Sequence, residues 1–345
     1  MSNKEKLMET FDFDSEKTKR LLKKAKILTT IRTSVISIII FVLLCVSIIT
    51  INMRLLNDAA MNLLVIEQIM DTIARPNIYM GQYKIRDGFL TGELEYSTYR
   101  IVGNKAVYNG TYSTSYNIIP IVSGVYGCSG RGQLLQIKAD NGYVSFNNQG
   151  LKEMAFYHPY LEYKTYQNDL ILLDEIDDSK YLEMSISFDD EYSLEEIKSM
   201  LPGELKLAWF WVNTYSLEDL NKMKGQYVEI KDDIKQNTVQ KTYQEPKVLF
   251  ANQVYGMKGI DAAGEVIDDP RNAFIEAVES ALKMKYKQTQ FRLLYDYLSA
   301  SSGKIFADDI KIIGAVVTGD LNSIRLLKDL SFIKAATLGT VIDKF

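Results

Sequence analysis

Thr33 to Met53 is an unbroken run of 21 residues without a charged side chain, bounded by Arg32 and Arg54. At about 1.5 Å of rise per residue, a helix of that length spans about 31 Å, the thickness of a bilayer's hydrocarbon layer. Ile36, Ile38, Ile39, Ile40, Phe41, Val42, Leu43 and Leu44 form its densest part. A cleaved signal peptide would have a shorter apolar region followed by a small-x-small cleavage site, and none stands there. A helix buried in a soluble core would keep polar positions on one face. The run therefore reads as a single transmembrane helix.

Its flanks set the expected direction. Residues 1–32 carry nine Lys/Arg against five Asp/Glu, whereas residues 54–345 carry 31 against 39. Lys17, Lys19, Arg20, Lys23, Lys24, Lys26 and Arg32 crowd the N-terminal side, while Arg54 stands alone on the other side until Arg75. The positive-inside rule then puts the N-terminus in the cytoplasm and the large C-terminal part outside, in a cell membrane. The same seven basic residues are expected to lie on anionic headgroups, so the lipid bilayer is the first expected partner. An acidic body is poorly suited to phosphate backbones, so no direct nucleic-acid role is expected.

Beyond the span, Leu56, Ala59, Leu63, Ile66, Met70 and Ile73 recur at spacings of three and four, the stripe of an amphipathic helix, until Arg75-Pro76 stops it. Such a stripe suits either a short coiled coil or packing on the protein's own outer domain, and the second is the simpler reading. The expected organisation is a basic cytoplasmic tail (1–32), the span (33–53), this juxtamembrane helix (54–76), a β-rich domain (77–150) and an α+β domain (151–345). In the β-rich part, segments such as Tyr83-Lys84-Ile85, Leu94-Glu95-Tyr96 and Tyr108-Asn109-Gly110-Thr111-Tyr112 read as short antiparallel strands joined by tight turns.

The last part reads as α+β with two βαβ units. In the first, strand Leu182–Phe188 leads to a capping box at Ser193–Glu196, a short helix, and strand Leu205–Val212. In the second, strand Ile310–Val317 leads to a helix over Leu321–Leu330 and a strand over Phe332–Ile342. Between them the sequence suggests a loop-rich charged stretch (217–250) and one long amphipathic helix from Arg271 to Ala300. Helices on one face of a sheet would complete a sandwich. Trp209 and Trp211 must share one face of their strand and Phe210 the other, which predicts a central strand covered on both sides.

Chemistry-bearing residues are sparse. Cys45 lies in the span and Cys128 stands alone, so no disulfide framework is expected. His158, the single histidine, sits before Pro159, where a structural hydrogen bond is a better account than a pH-sensing role. The acidic groups Asp174-Glu175 with Asp177-Asp178, and Asp189-Asp190-Glu191, lack EF-hand spacing and read as solvated turns. Gly127 to Gly132 fits neither a nucleophile elbow nor a phosphate loop. No catalytic residue, metal site or cofactor is expected.

An ordered series of segments remains: Phe156-Tyr157-His158-Pro159, Met184–Asp189, Leu205–Tyr215, Val254-Tyr255-Gly256, Ile313–Gly319 and Ala335–Lys344. Together with the basic stretch, the span and Pro76-Asn77, this series resembles the sigma factor regulator family of Firmicutes. The resemblance implies a membrane-anchored anti-sigma factor, not an enzyme. Its tail would hold an extracytoplasmic-function sigma factor, and its outer domain would regulate the tail, with another membrane protein as a candidate partner. With neither Cys nor His among residues 1–32, a zinc-type anti-sigma fold is excluded for the tail, so a short segment folding on binding is required. The apolar groups available are Phe11, Phe13, Leu21, Leu22, Ala25 and Leu28, of which Leu21, Ala25 and Leu28 share a helical face. The alternative is an envelope binding or sensor module whose tail only anchors it.

Overall fold

A computed structural model of the chain describes residues 16–118, 135–139, 142–147, 150–231, 239–284, 288–300 and 302–345. The chain forms two compact units, Met1–Asp58 and Ala59–Phe345. Helix α1, Glu16–Ile73, contains neither Gly nor Pro and is helical throughout. The hydroxyls of Thr29, Thr30, Thr33, Ser47 and Thr50 donate back to carbonyls four residues earlier at 2.8–3.0 Å. For Thr33, Ser47 and Thr50, inside the span, that satisfies polar atoms which hydrocarbon could not.

In the second unit the final turns of α1 bury Leu63, Leu64, Ile66, Ile69 and Ile73, and Ile69, Ile73 and Ala74 join the main apolar core. The stripe read from the sequence is thus used against the protein's own body. Strands β1 (Ile78–Asp87), β2 (Thr91–Val102) and β3 (Lys105–Asn117) form an antiparallel sheet in that order. Gly103, at φ +61°, makes the β2–β3 turn. Asn109-Gly110 is not the tight turn that its composition suggests. It is a bulge inside β3, where Tyr108 faces Tyr99 and Gly110 faces Thr98, leaving Asn109 unpaired in the ladder. The bulge re-aims the Asn109 side chain into the protein. A second hairpin follows, β4 (Leu135–Ala139) with β5 (Gly142–Phe146).

Five further strands build the central sheet. After the short β6 (Ala155–Phe156) come β7 (Lys180–Tyr192), helix α2 (Leu194–Met200) and β8 (Lys206–Val212). Ser193 and Glu196 cap α2 reciprocally, as the sequence predicts. Next stand α3 (Leu217–Met223), β9 (Gln226–Lys231), β10 (Val239–Gln244), β11 (Leu249–Phe250) and β12 (Gly256–Lys258). The stretch expected to be loop-rich therefore holds a capped helix and a hairpin. The single long helix expected over 271–300 is two, α4 (Arg271–Ala281) and α5 (Gln288–Ser299). Both turn apolar residues into one core, Phe274 and Val278 from α4, Phe291 and Leu294 from α5, so one helical period spans them although the helix does not. Last come β13 (Ile312–Asp320), α6 (Leu321–Arg325) and β14 (Ile333–Asp343).

The sheet runs β12-β8-β13-β7-β14 with every neighbouring pair antiparallel. The two βαβ units are therefore split and interleaved: β13 lies between β7 and β8, and β7 lies between β13 and β14. Alternation along the strands sorts the faces. Leu182, Met184, Ile186, Phe188, Phe210 and Val317 meet the helices, while Trp209, Trp211, Ile313 and Val316 meet Phe156, Leu249 and Val254 on the other side. Strand β8 is internal and covered on both faces, as the Trp-Phe-Trp alternation predicts. The segments that carry the family resemblance fall mainly on β6, β7, β8, β12, β13 and β14.

Candidate functional site: the end of the membrane helix and a buried charge cluster

The helix stops through strained backbone. Arg75 (φ +60°) and Asn77 (φ +50°) flank Pro76 in the left-handed region, a conformation that costs about 1–3 kcal/mol each for residues other than glycine. Side-chain contacts hold both in place. Arg75 pairs with Glu67 and also donates to the Tyr96 hydroxyl at 2.9 Å, and that hydroxyl donates to Glu67 at 2.7 Å. Burial opposes the charge on Arg75, but Tyr96, Glu67 and Asp71 outweigh it and hold the guanidinium above its ordinary pKa. One turn away, Asp71 pairs with Lys258 of β12 and accepts from the Met80 amide at 2.9 Å. Burial lowers the Lys258 pKa, opposed by Asp71.

Asn77 leads into a fully buried cluster between β1–β3 and the central sheet. Its amide donates to the Ile101 carbonyl at 2.9 Å and to Glu183 at 2.6 Å. Arg100 of β2 is 0% exposed; it donates to the bulged Asn109 at 2.7 Å and to Glu183 of β7 at 3.1 Å. Its second terminal nitrogen lies 3.8 Å from Glu153. Burial works against this charge too, yet Glu183 and Glu153 together keep the guanidinium protonated and above its usual pKa. Burial raises the Glu153 pKa, with Arg100 pulling the other way. An isolated charge in such a place would be strongly unfavourable, so this cluster stands only as a set.

Sequence reasoning missed these residues, because Arg100 and Glu183 are 83 positions apart and belong to no motif. One signal was available. If both faces of β8 are covered, then Glu183, Ser185 and Ser187 on the polar face of nearby β7 must be buried and paired, and all three are buried.

The sequence-predicted tail residues fall elsewhere. Phe11 and Phe13 lie outside the described residues, as does the Gly127–Gly132 segment. Leu21, Leu22 and Leu28 are exposed on α1 at 62%, 56% and 67%, with Ala25 on the same face as Leu21 and Leu28. Lys17, Lys19, Arg20, Lys23, Lys24, Lys26 and Arg32 are also exposed; Lys19, Arg20, Lys23 and Lys26 take the face opposite Leu21 and Leu28, and Lys17 and Lys24 border those two leucines. His158 is structural: it accepts from the Tyr160 amide at 3.3 Å, bonds Asn213 at 3.4 Å and packs edge-on to Trp211 and Tyr215. Burial lowers its pKa to about 4. Among the acidic groups, Asp174 pairs with Lys328 at 2.7 Å and Asp178 with Arg325 at 2.8 Å, both at the surface.

Fold and site define a single-pass membrane protein whose helix ends, over residues 59–73, inside a folded α+β unit. Among the described residues α1 holds the one segment long and apolar enough to span a bilayer. Residues 19–107 match the sigma factor regulator N-terminal domain and residues 173–340 match the sigma factor regulator C-terminal domain. The chain belongs to the sigma factor regulator family, a regulatory family, and is an anti-sigma factor whose partner is a sigma factor. No curated protein and no solved structure matches it.

Proposed function

We propose that the chain lies with its N-terminus in the cytoplasm, where the tail binds an extracytoplasmic-function sigma factor, and that the outer domain regulates this hold. The observation that carries the reading is the two-faced segment ahead of the span. Leu21, Ala25 and Leu28 offer a narrow apolar stripe bordered by Lys17 and Lys24 at the same helical spacing, and Lys19, Arg20, Lys23 and Lys26 face the other way. A stripe of this kind suits helix-in-groove recognition. The basic face favours the cytoplasmic leaflet by about 1 kcal/mol per residue near the surface. Regulation from outside is supported by the junction at Arg75-Pro76-Asn77, where strained backbone is held by contacts to Glu67, Tyr96, Ile101 and Glu183.

The test is a pull-down from native membranes comparing the intact chain, a form lacking residues 1–28, and a form with Phe11, Phe13, Leu21 and Leu28 replaced by Ala. Recovery of a sigma factor by the intact chain alone supports the reading. Equal recovery by all three removes the tail as the binding element, and recovery by none leaves an envelope binding or sensor module as the better account.

A further inference from the structure

Beside the buried cluster lies a pocket of about 400 Å³, within the range of small-ligand sites. Tyr157, Tyr163 and Phe250 supply aromatic wall, and Ser145, Glu153 and Glu245 supply polar groups. Several donors that reach the pocket are already engaged. Lys152 is paired with Asp169 at 2.6 Å, the Gln167 amide donates to the same carboxylate at 3.0 Å, and the Tyr163 hydroxyl donates to the Lys247 carbonyl at 3.1 Å. What remains unspent is mainly acceptor capacity. Among the described residues, Glu153 has the distant second nitrogen of Arg100 and a side-chain hydrogen bond from Asn147, which leaves acceptor capacity on its carboxylate, and Glu245 accepts one backbone amide, that of Lys164, at 3.2 Å. The Ser145 hydroxyl, in a residue 3% exposed, has no hydrogen-bond partner among the described residues.

We propose that this pocket binds a small molecule carrying a primary ammonium group, held by Glu153, Glu245 and Ser145 and flanked by the aromatic wall. An ammonium brings three donors and no acceptor, which matches acceptors left over, and aromatic faces add cation–π attraction. Glu153 is also the pocket's link to the membrane helix. It shares Arg100 with Glu183, and Glu183 accepts from Asn77, four residues beyond the end of α1. The site would exist whichever partner the tail holds, so it stands or falls apart from the pull-down.

The test is calorimetric titration of the full chain in nanodiscs of zwitterionic lipid. The probes are putrescine and glucosamine, each run against a neutral counterpart, butanediol and N-acetylglucosamine. Binding of an amine but not of its neutral counterpart is expected, weakened about tenfold or more in both Glu153→Gln and Glu245→Gln. Glu245 is exposed, so its variant should fold and decides the matter alone if Glu153→Gln does not fold. Because burial raises the Glu153 pKa, affinity should grow with pH as that carboxyl ionises. Neutral counterparts binding as tightly, amines binding the Glu245→Gln form undiminished, or no amine binding at millimolar concentration would each overturn the proposal.

Discussion

Replacing Arg100 by Met should be among the most damaging single changes available outside the apolar core. The guanidinium is 0% exposed and neutralises Glu183 at 3.1 Å, also 0% exposed, with Glu153 at 3.8 Å. Methionine fills much of the volume but leaves the buried Glu183 and the largely buried Glu153 without their cation. Removing one partner of such a set costs on the order of 3–5 kcal/mol, a large share of the 5–15 kcal/mol that holds a typical domain together. Urea unfolding of the full chain in detergent reads this directly, because its two tryptophans, Trp209 and Trp211, are both fully buried beside the central sheet. The same argument requires partial rescue. Adding Glu183→Gln to Arg100→Met removes one stranded charge and keeps an acceptor for Asn77, although the amide nitrogen then replaces the oxygen that accepts from Thr340, so part of the loss should return. A cost below about 1 kcal/mol for Arg100→Met, or a double variant no more stable than the single one, would refute the reading of this cluster as a buried, mutually dependent charge set.

Two further expectations follow from local geometry. The His158 pKa falls from 6.5 to about 4 on folding, so below pH 6.5 the unfolded chain takes up the proton first; stability drops by about 3 kcal/mol as pH falls from 6.5 to 4. His158→Gln should flatten that part of the pH profile of the urea midpoint relative to the native chain, and parallel profiles would show that His158 is not the titrating group. Gly256→Ala should destabilise by about 1–3 kcal/mol in the same unfolding assay, because the added Cβ would lie 2.0 Å from the Phe210 carbonyl oxygen and against the Trp209 ring; a neutral result would mean that β12 sits farther from β8.

The sequence alone determined whatever depends on local pattern. An uncharged run of 21 residues can become little other than a spanning helix, and Trp209-Phe210-Trp211 announced a strand covered on both faces. Ser193 and Glu196 marked a helix start through hydrogen bonds that close within four residues. Periodicity reports that a face is buried, but not what covers it, and there the tertiary structure decided. The two strands of each βαβ unit are parallel yet separated by a strand from the other unit, a choice made by long-range pairing that no local pattern encodes. Asn109-Gly110 has the composition of a turn, but the register of β2 against β3 makes it a bulge and sends Asn109 toward Arg100. The charge cluster itself draws on the residue before β1, on β2, β3 and β7, and on the segment before β6. Arg100, Glu153 and Glu183 look like ordinary surface residues until the two sheets close over them, and only burial, by removing water, forces each to find the others.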